Sequence, residues 1–106
     1  MTRSTKLRDA GEQYLTDLDA KRTTTATHHK RLTSWIRFLE ERGTTTTDEL
    51  TAEDVADYRS HVESYLHPVT IRAMMQTIRQ FIRYLEAEGL ASIDGDLPLP
   101  VEVQRS

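Results

Sequence analysis

The stretch PVTIRAMMQTIRQFIRYLEAEG, residues 68–89, decides the fold. Its apolar residues Ile71, Met74, Ile78, Phe81, Ile82 and Leu85 recur at steps of three and four, the period of a helix with one buried face. Pro68 is tolerated in a first helical turn, where its missing N–H would have no intrahelical acceptor. Gly89 follows the last apolar residue and supplies a left-handed stop. A helix over this stretch needs partners for its apolar face, and the residues before it supply three.

Working back towards the N-terminus, the segment from about Ala52 to Tyr65 places Val55, Tyr58, Val62 and Tyr65 inward. It opens on Thr51-Ala52-Glu53-Asp54, which has the form of a capping box, with Leu50 as the staple residue before it. Thr44 to Thr47 are too polar and too β-branched to prolong a helix and read as a loop. From about Thr25 to Arg42, Leu32, Trp35, Ile36 and Leu39 give an amphipathic helix that Gly43 ends. From about Lys6 to Ala20, Leu7, Ala10, Gly11, Tyr14, Leu15 and Leu18 share one face. Beyond Leu90 the period is lost, and Ala91–Ser106, with Gly95, Pro98 and Pro100, reads as a tail or linker. The expected architecture is all-α, a small four-helix bundle over residues 1–90, with residues 91–106 leading away from it.

The 106 residues suffice for one core and are too few for two. With no cysteine, a disulfide framework and a thiol nucleophile are excluded. No apolar run approaches the ~20 residues of a membrane span, and Met1–Leu7 lacks the apolar stretch of a signal peptide, so a cytoplasmic domain without a membrane partner is expected. The net charge of −3 alone argues against a nucleic-acid binder, but it conceals an asymmetry. Residues 22–42 hold Arg22, Lys30, Arg31, Arg37 and Arg42 against Glu40 and Glu41, a net +3. Residues 43–67 hold Arg59 against Asp48, Glu49, Glu53, Asp54, Asp57 and Glu63, a net −5. Fields are made locally, so this distribution matters more than the sum.

On the last helix Arg72, Gln76, Arg79 and Arg83 fall within a stripe roughly 60° wide at ~100° per residue, turned away from the apolar face. No acidic residue interrupts it from Val69 to Leu85. Arginine can grip guanine or a phosphate with two bonds, and glutamine can pair with adenine. A solvated arginine-rich face is the plain alternative. On the second helix Thr27, Lys30, Ser34 and Arg37 lie opposite the apolar face and have the chemistry of a phosphate-gripping surface. Charge scatter is the alternative there.

Other constellations carry less. His28 and His29 are adjacent and diverge on a helix, so they cannot chelate one ion together, and His28 falls on the core side. Asp54 and Asp57 read as a solvated face. Tyr14, Tyr58 and Tyr65 occupy apolar-face positions and read, like Trp35, as core. There is no glycine-rich phosphate loop, and no catalytic residue, metal site or cofactor is expected.

The order of elements resembles a known family. Tyr14-Leu15 is followed by Thr25-x-x-His28-x-x-x-Leu32-x-x-Trp35-x-x-Phe38-Leu39, then Leu50-Thr51-Ala52-Glu53-Asp54-Val55-x-x-Tyr58. Thr70-Ile71-Arg72 and Ile78-Arg79-x-Phe81-x-x-Tyr84-Leu85-x-x-Glu88-Gly89 complete the pattern. Over roughly residues 5–90 the chain resembles the N-terminal core-binding (SAM-like) domain of tyrosine recombinases, of the phage integrase and Xer type. His28 departs from the aromatic residue usual at its position. The resemblance implies a DNA-binding domain that clamps duplex DNA at a recombination half-site through its second and fourth helices. The implied contacts are Thr27, Lys30, Ser34 and Arg37, then Thr70, Arg72, Gln76 and Arg79, and helical geometry adds Arg83. It also implies that the domain is not itself an enzyme, because the family's chemistry lies in a separate C-terminal catalytic domain. That domain of the same longer chain, and other recombinase protomers on DNA, would be its further partners, the isolated domain being a monomer. The competing reading is a helical protein-interaction module. It rests on Phe38, off the main apolar stripe, and on the acidic third helix.

Overall fold

In a computed structural model, which describes residues 4–21 and 26–91, the periodic segments are helices. They are α1 (Leu7–Ala20), α2 (Ala26–Glu41), α3 (Ala52–Glu63) and α4 (Pro68–Ala87), with a 3₁₀ turn at Thr47–Glu49. The expected all-α four-helix architecture is observed. Thr25 and the tail from residue 92 onward lie outside the described residues.

α4 and α2 pack on each other, and each also packs on α1 and α3. This central position explains why α4 buries more than the stripe read from its sequence. Met75 and Thr77 are buried beside Ile71, Met74, Ile78, Phe81, Ile82 and Leu85. Thr77 is tolerated there because its hydroxyl donates to the Ala73 carbonyl at 3.2 Å. Trp35 and Phe81, both fully buried, meet edge-on with ring centroids 6.0 Å apart. Tyr14 closes the cluster at 5.2 Å from Phe81 and 5.0 Å from Tyr84. Gly11 is buried where α1 approaches α2, and a Cβ there would stand 2.6 Å from Cδ1 of Ile36.

The helix ends follow local chemistry. Gly43 (φ 93°) and Gly89 (φ 73°) adopt the left-handed conformation expected of them. After each, a backbone N–H reaches back over the last turn, Thr44 to the Leu39 carbonyl and Leu90 to that of Leu85. At the start of α3 the capping box forms as expected. The Asp54 N–H donates to the Thr51 hydroxyl at 3.2 Å, and the Thr51 N–H donates to the Asp54 carboxylate at 2.9 Å. A cap of this kind contributes about 1 kcal/mol.

Three expectations are corrected. Asp54 is not on a solvated face but only 6% exposed, held by the cap and with Arg42 3.8 Å away. Tyr65 does not face inward: it is 63% exposed. α3 stops at Glu63, and the Tyr65 N–H closes a tighter turn on the Val62 carbonyl, so Tyr65 lies past the point where helical phase applies. The threonine run is more than a polar loop. Thr47 is fully buried, and the run pairs with the chain entering α1. The Leu7 N–H donates to the Thr45 carbonyl at 2.9 Å, and the Thr47 N–H to that of Thr5 at 2.8 Å. β-branched residues suit such extended pairing. Asp48 accepts from the Ser4 and Thr46 hydroxyls, and Glu49 accepts from the Thr45 and Thr46 N–H groups. These bonds hold both carboxyls below their usual range.

His28 packs 6.1 Å from the Tyr14 ring, the core-side placement expected of it. Desolvation, then Arg31 and His29, lower its pKa from 6.5. Above about pH 6.5 the imidazole is neutral folded or unfolded, and its contribution to stability is present in full. Below that, the unfolded chain takes up a proton that the folded one resists, and stability falls until the folded pKa is passed. The thermal midpoint is therefore expected to drop between pH 7 and pH 5, above the range of Asp48 and Glu49. In His28→Phe the drop should be shallower. Equal slopes in the two proteins would exclude His28 as its source.

Candidate nucleic-acid interface

The outward face of α2 carries Thr27, Lys30, Ser34 and Arg37, all exposed. Because Leu32, Trp35, Ile36 and Leu39 are drawn into the core, helical geometry leaves these four facing solvent. Lys30, Ser34 and Arg37 line one open cleft of about 690 Å³ with Asp19, Ala26, His29 and Thr33. Thr27 is not in its lining.

On α4, Thr70, Arg72, Gln76 and Arg83 are exposed and Arg79 is half-buried. The helix is entered through His67, whose Nδ1 accepts from the Val69 N–H at 3.1 Å, with Pro68 in the first turn. Gln76, Arg79 and Arg83 share a small cleft of about 210 Å³ with Gln80, while Thr70 and Arg72 lie outside it. The expected residues thus form two groups, one on each of two helices that pack against each other. Gln80 and Thr33 escaped the sequence reading. Their signal was spacing alone, Gln80 four residues after Gln76 and Thr33 three after Lys30.

Ion pairing sorts the cations. Arg8 bonds Glu40 at 3.0 Å, Arg42 bonds Asp57, and Arg59 lies 3.4 Å from Glu63. The pairing raises the pKa of Arg8 and of Arg42 above the ordinary arginine value, hydrogen bonding to Glu40 and to Asp57 being the largest cause in each case. Lys30, Arg37, Arg79 and Arg83 make no ion pair or hydrogen bond with another described residue. Among the described residues lining the α2 cleft the one carboxylate, that of Asp19, lies 3.3 Å from Nε2 of His29.

Phe38 and two of the acidic residues behind the protein-interaction reading have partners within the molecule. Phe38 is covered from α3, its centroid 5.0 Å from both Tyr58 and His61, and the Arg42 guanidinium lies over its ring at 5.3 Å. Asp54 and Asp57 engage Arg42 rather than facing outward as a free acidic patch. A further cleft of about 380 Å³ runs between α2 and the end of α3, with Ser34, Arg37 and Glu41 on one side and His61 and Tyr65 on the other.

Burial pushes the Tyr58 hydroxyl up to about 12 and raises those of Tyr14 and Tyr84. Among the described residues no three His, Asp or Glu side chains are grouped to hold a metal ion. None of the described helices is long and apolar enough to cross a membrane.

Residues 12–89 match the model of the phage integrase N-terminal SAM-like domain. The N-terminal domain of a phage integrase/site-specific recombinase from Haloarcula marismortui, known from its crystal structure, aligns with a TM-score of 0.76 at 27% identity. The alignment covers 96% of this chain and 99% of that one. No curated protein sequence matches the chain.

Proposed function

The chain belongs to the phage integrase N-terminal SAM-like domain family, and from that premise we propose that it binds duplex DNA at a recombination half-site. Lys30 and Arg37 on α2, and Arg79 and Arg83 on α4, engage backbone phosphates. Thr27, Ser34 and Thr70 add hydroxyl donors to them. Arg72 and Gln76 sit where a helix laid in the major groove can reach base edges. In this reading the domain supplies affinity and position for strand exchange in the cytoplasm, alongside a catalytic domain of the same longer chain and other recombinase protomers. It does no cutting itself.

The observation that carries the reading is the sorting of charge. Four cations on two mutually packed helices have no ion-pair partner among the described residues, while Arg8, Arg42 and Arg59 do. Unpaired cations release counterions from DNA at full effect, whereas a paired one must first give up its carboxylate. The test is a titration of the ¹⁵N-labelled 106-residue chain with a random-sequence duplex of about 20 base pairs at low salt. Amide shifts should concentrate at Lys30, Ser34, Arg37, Gln76, Arg79 and Arg83 and vanish as salt is raised. A spectrum indifferent to duplex at low salt would reject the function.

A further inference from the structure

We propose that the DNA contact continues from α2 onto the end of α3, where the Tyr65 hydroxyl donates to a backbone phosphate. The inference rests on the DNA-binding reading above and extends it to a helix whose acidic composition argued against any such role.

Three observations meet at this place. Tyr65 is 63% exposed just past the end of α3, with its ring edge-on to His61 at 5.7 Å, so little of it is used in packing. It shares a cleft with Ser34 and Arg37, two residues of the outward α2 stripe, so a phosphate held by Arg37 lies beside the α3 wall. Three of the four α3 carboxylates are engaged elsewhere, and the fourth, Glu53, is exposed but does not line the cleft. Asp54 and Asp57 are engaged by Arg42, and Glu63 pairs with Arg59, leaving Glu41 of α2 as the carboxylate on the cleft's rim. Arg42 also lines the cleft but is paired with Asp57, so the α3 side adds no free cation. Its contribution is a hydrogen bond from a neutral donor, with His61, itself 5.0 Å from Phe38, setting the ring's orientation.

This gives a signature that a cationic contact lacks. In Tyr65→Phe the ring stays and the donor goes. The Kd for a random-sequence duplex should rise about ten-fold or more, the loss of one hydrogen bond to a charged acceptor, with the salt slope unchanged because no cation is removed. In Arg37→Gln the slope itself should become shallower by ~0.9. Affinity in Tyr65→Phe equal to that of the parent chain, with the parent still binding DNA, overturns this inference and leaves the proposed function standing. A parent chain that does not bind overturns both. A sedimentation mass that rises with concentration in the parent and not in Tyr65→Ala would give this face to a second copy of the chain and also overturn the inference.

Discussion

Replacing Lys30, Arg37, Arg79 and Arg83 together by glutamine is expected to weaken duplex binding roughly a thousand-fold near 0.1 M salt. Each phosphate contact contributes ~0.9 to the slope of log K against log salt, so four contacts amount to between three and four decades over the tenfold range below 1 M. The half-buried Arg79 sets the lower figure. Fluorescence anisotropy across a salt series measures both quantities, and the slope should fall by ~3.6 at full engagement. Helical content should not change, since none of the four is ion-paired to a described residue and no pairing is broken. The paired Arg8 and Arg59 are the controls, and their joint replacement should move the slope far less. A fourfold variant that bound like the parent would mean that the outward stripes are only solvated surface.

Phe81→Ala is the largest expected effect on stability, a loss of about 3–5 kcal/mol. Phe81 is fully buried, and its ring meets Trp35 of α2, Tyr14 of α1 and Tyr84 of its own helix. Its removal opens a void where three helices join, and close-packed surroundings relax only in part to fill such a void. A domain of this size has roughly 5–15 kcal/mol in all, so the variant should be marginal at 25 °C and its urea midpoint much lower. Trp35, beside the void, reports the transition by fluorescence. Val69→Ala, at a site 69% exposed, should stay within about 0.5 kcal/mol of the parent. Similar midpoints for the two would contradict the core described here.

Fold and candidate surface were legible in the sequence to different depths. The four helices were readable because each repeats one physical rule, an apolar residue every three or four positions, and that rule is local. Pro68, Gly43, Gly89 and the Thr51–Asp54 box marked ends for the same reason: a cap acts within one turn. The outward positions of Thr27, Lys30, Ser34 and Arg37, and of Arg72, Gln76 and Arg83, followed from the same periodicity, since a residue opposite a buried stripe has only solvent to face. Tyr65 was misread because periodicity carries no notice of where a helix stops. Thr47 and Asp54 were misread because their burial depends on elements distant in sequence, the chain entering α1 in one case and Arg42 in the other.

By itself, then, the sequence determined the four helices, those limits that a cap or glycine marks, and which face of each turns outward, since 3.6-residue spacing and end caps are properties of neighbours along the chain. The tertiary structure alone decided which cations are paired with a carboxylate and which are not. Arg42 and Arg37 lie five residues apart on one chain and look equivalent there. The packing of α3 on α2 brings Asp54 and Asp57 to the first and no carboxylate within pairing distance of the second among the described residues. Charge compensation depends on distance in space, which helix packing sets and spacing along the chain does not.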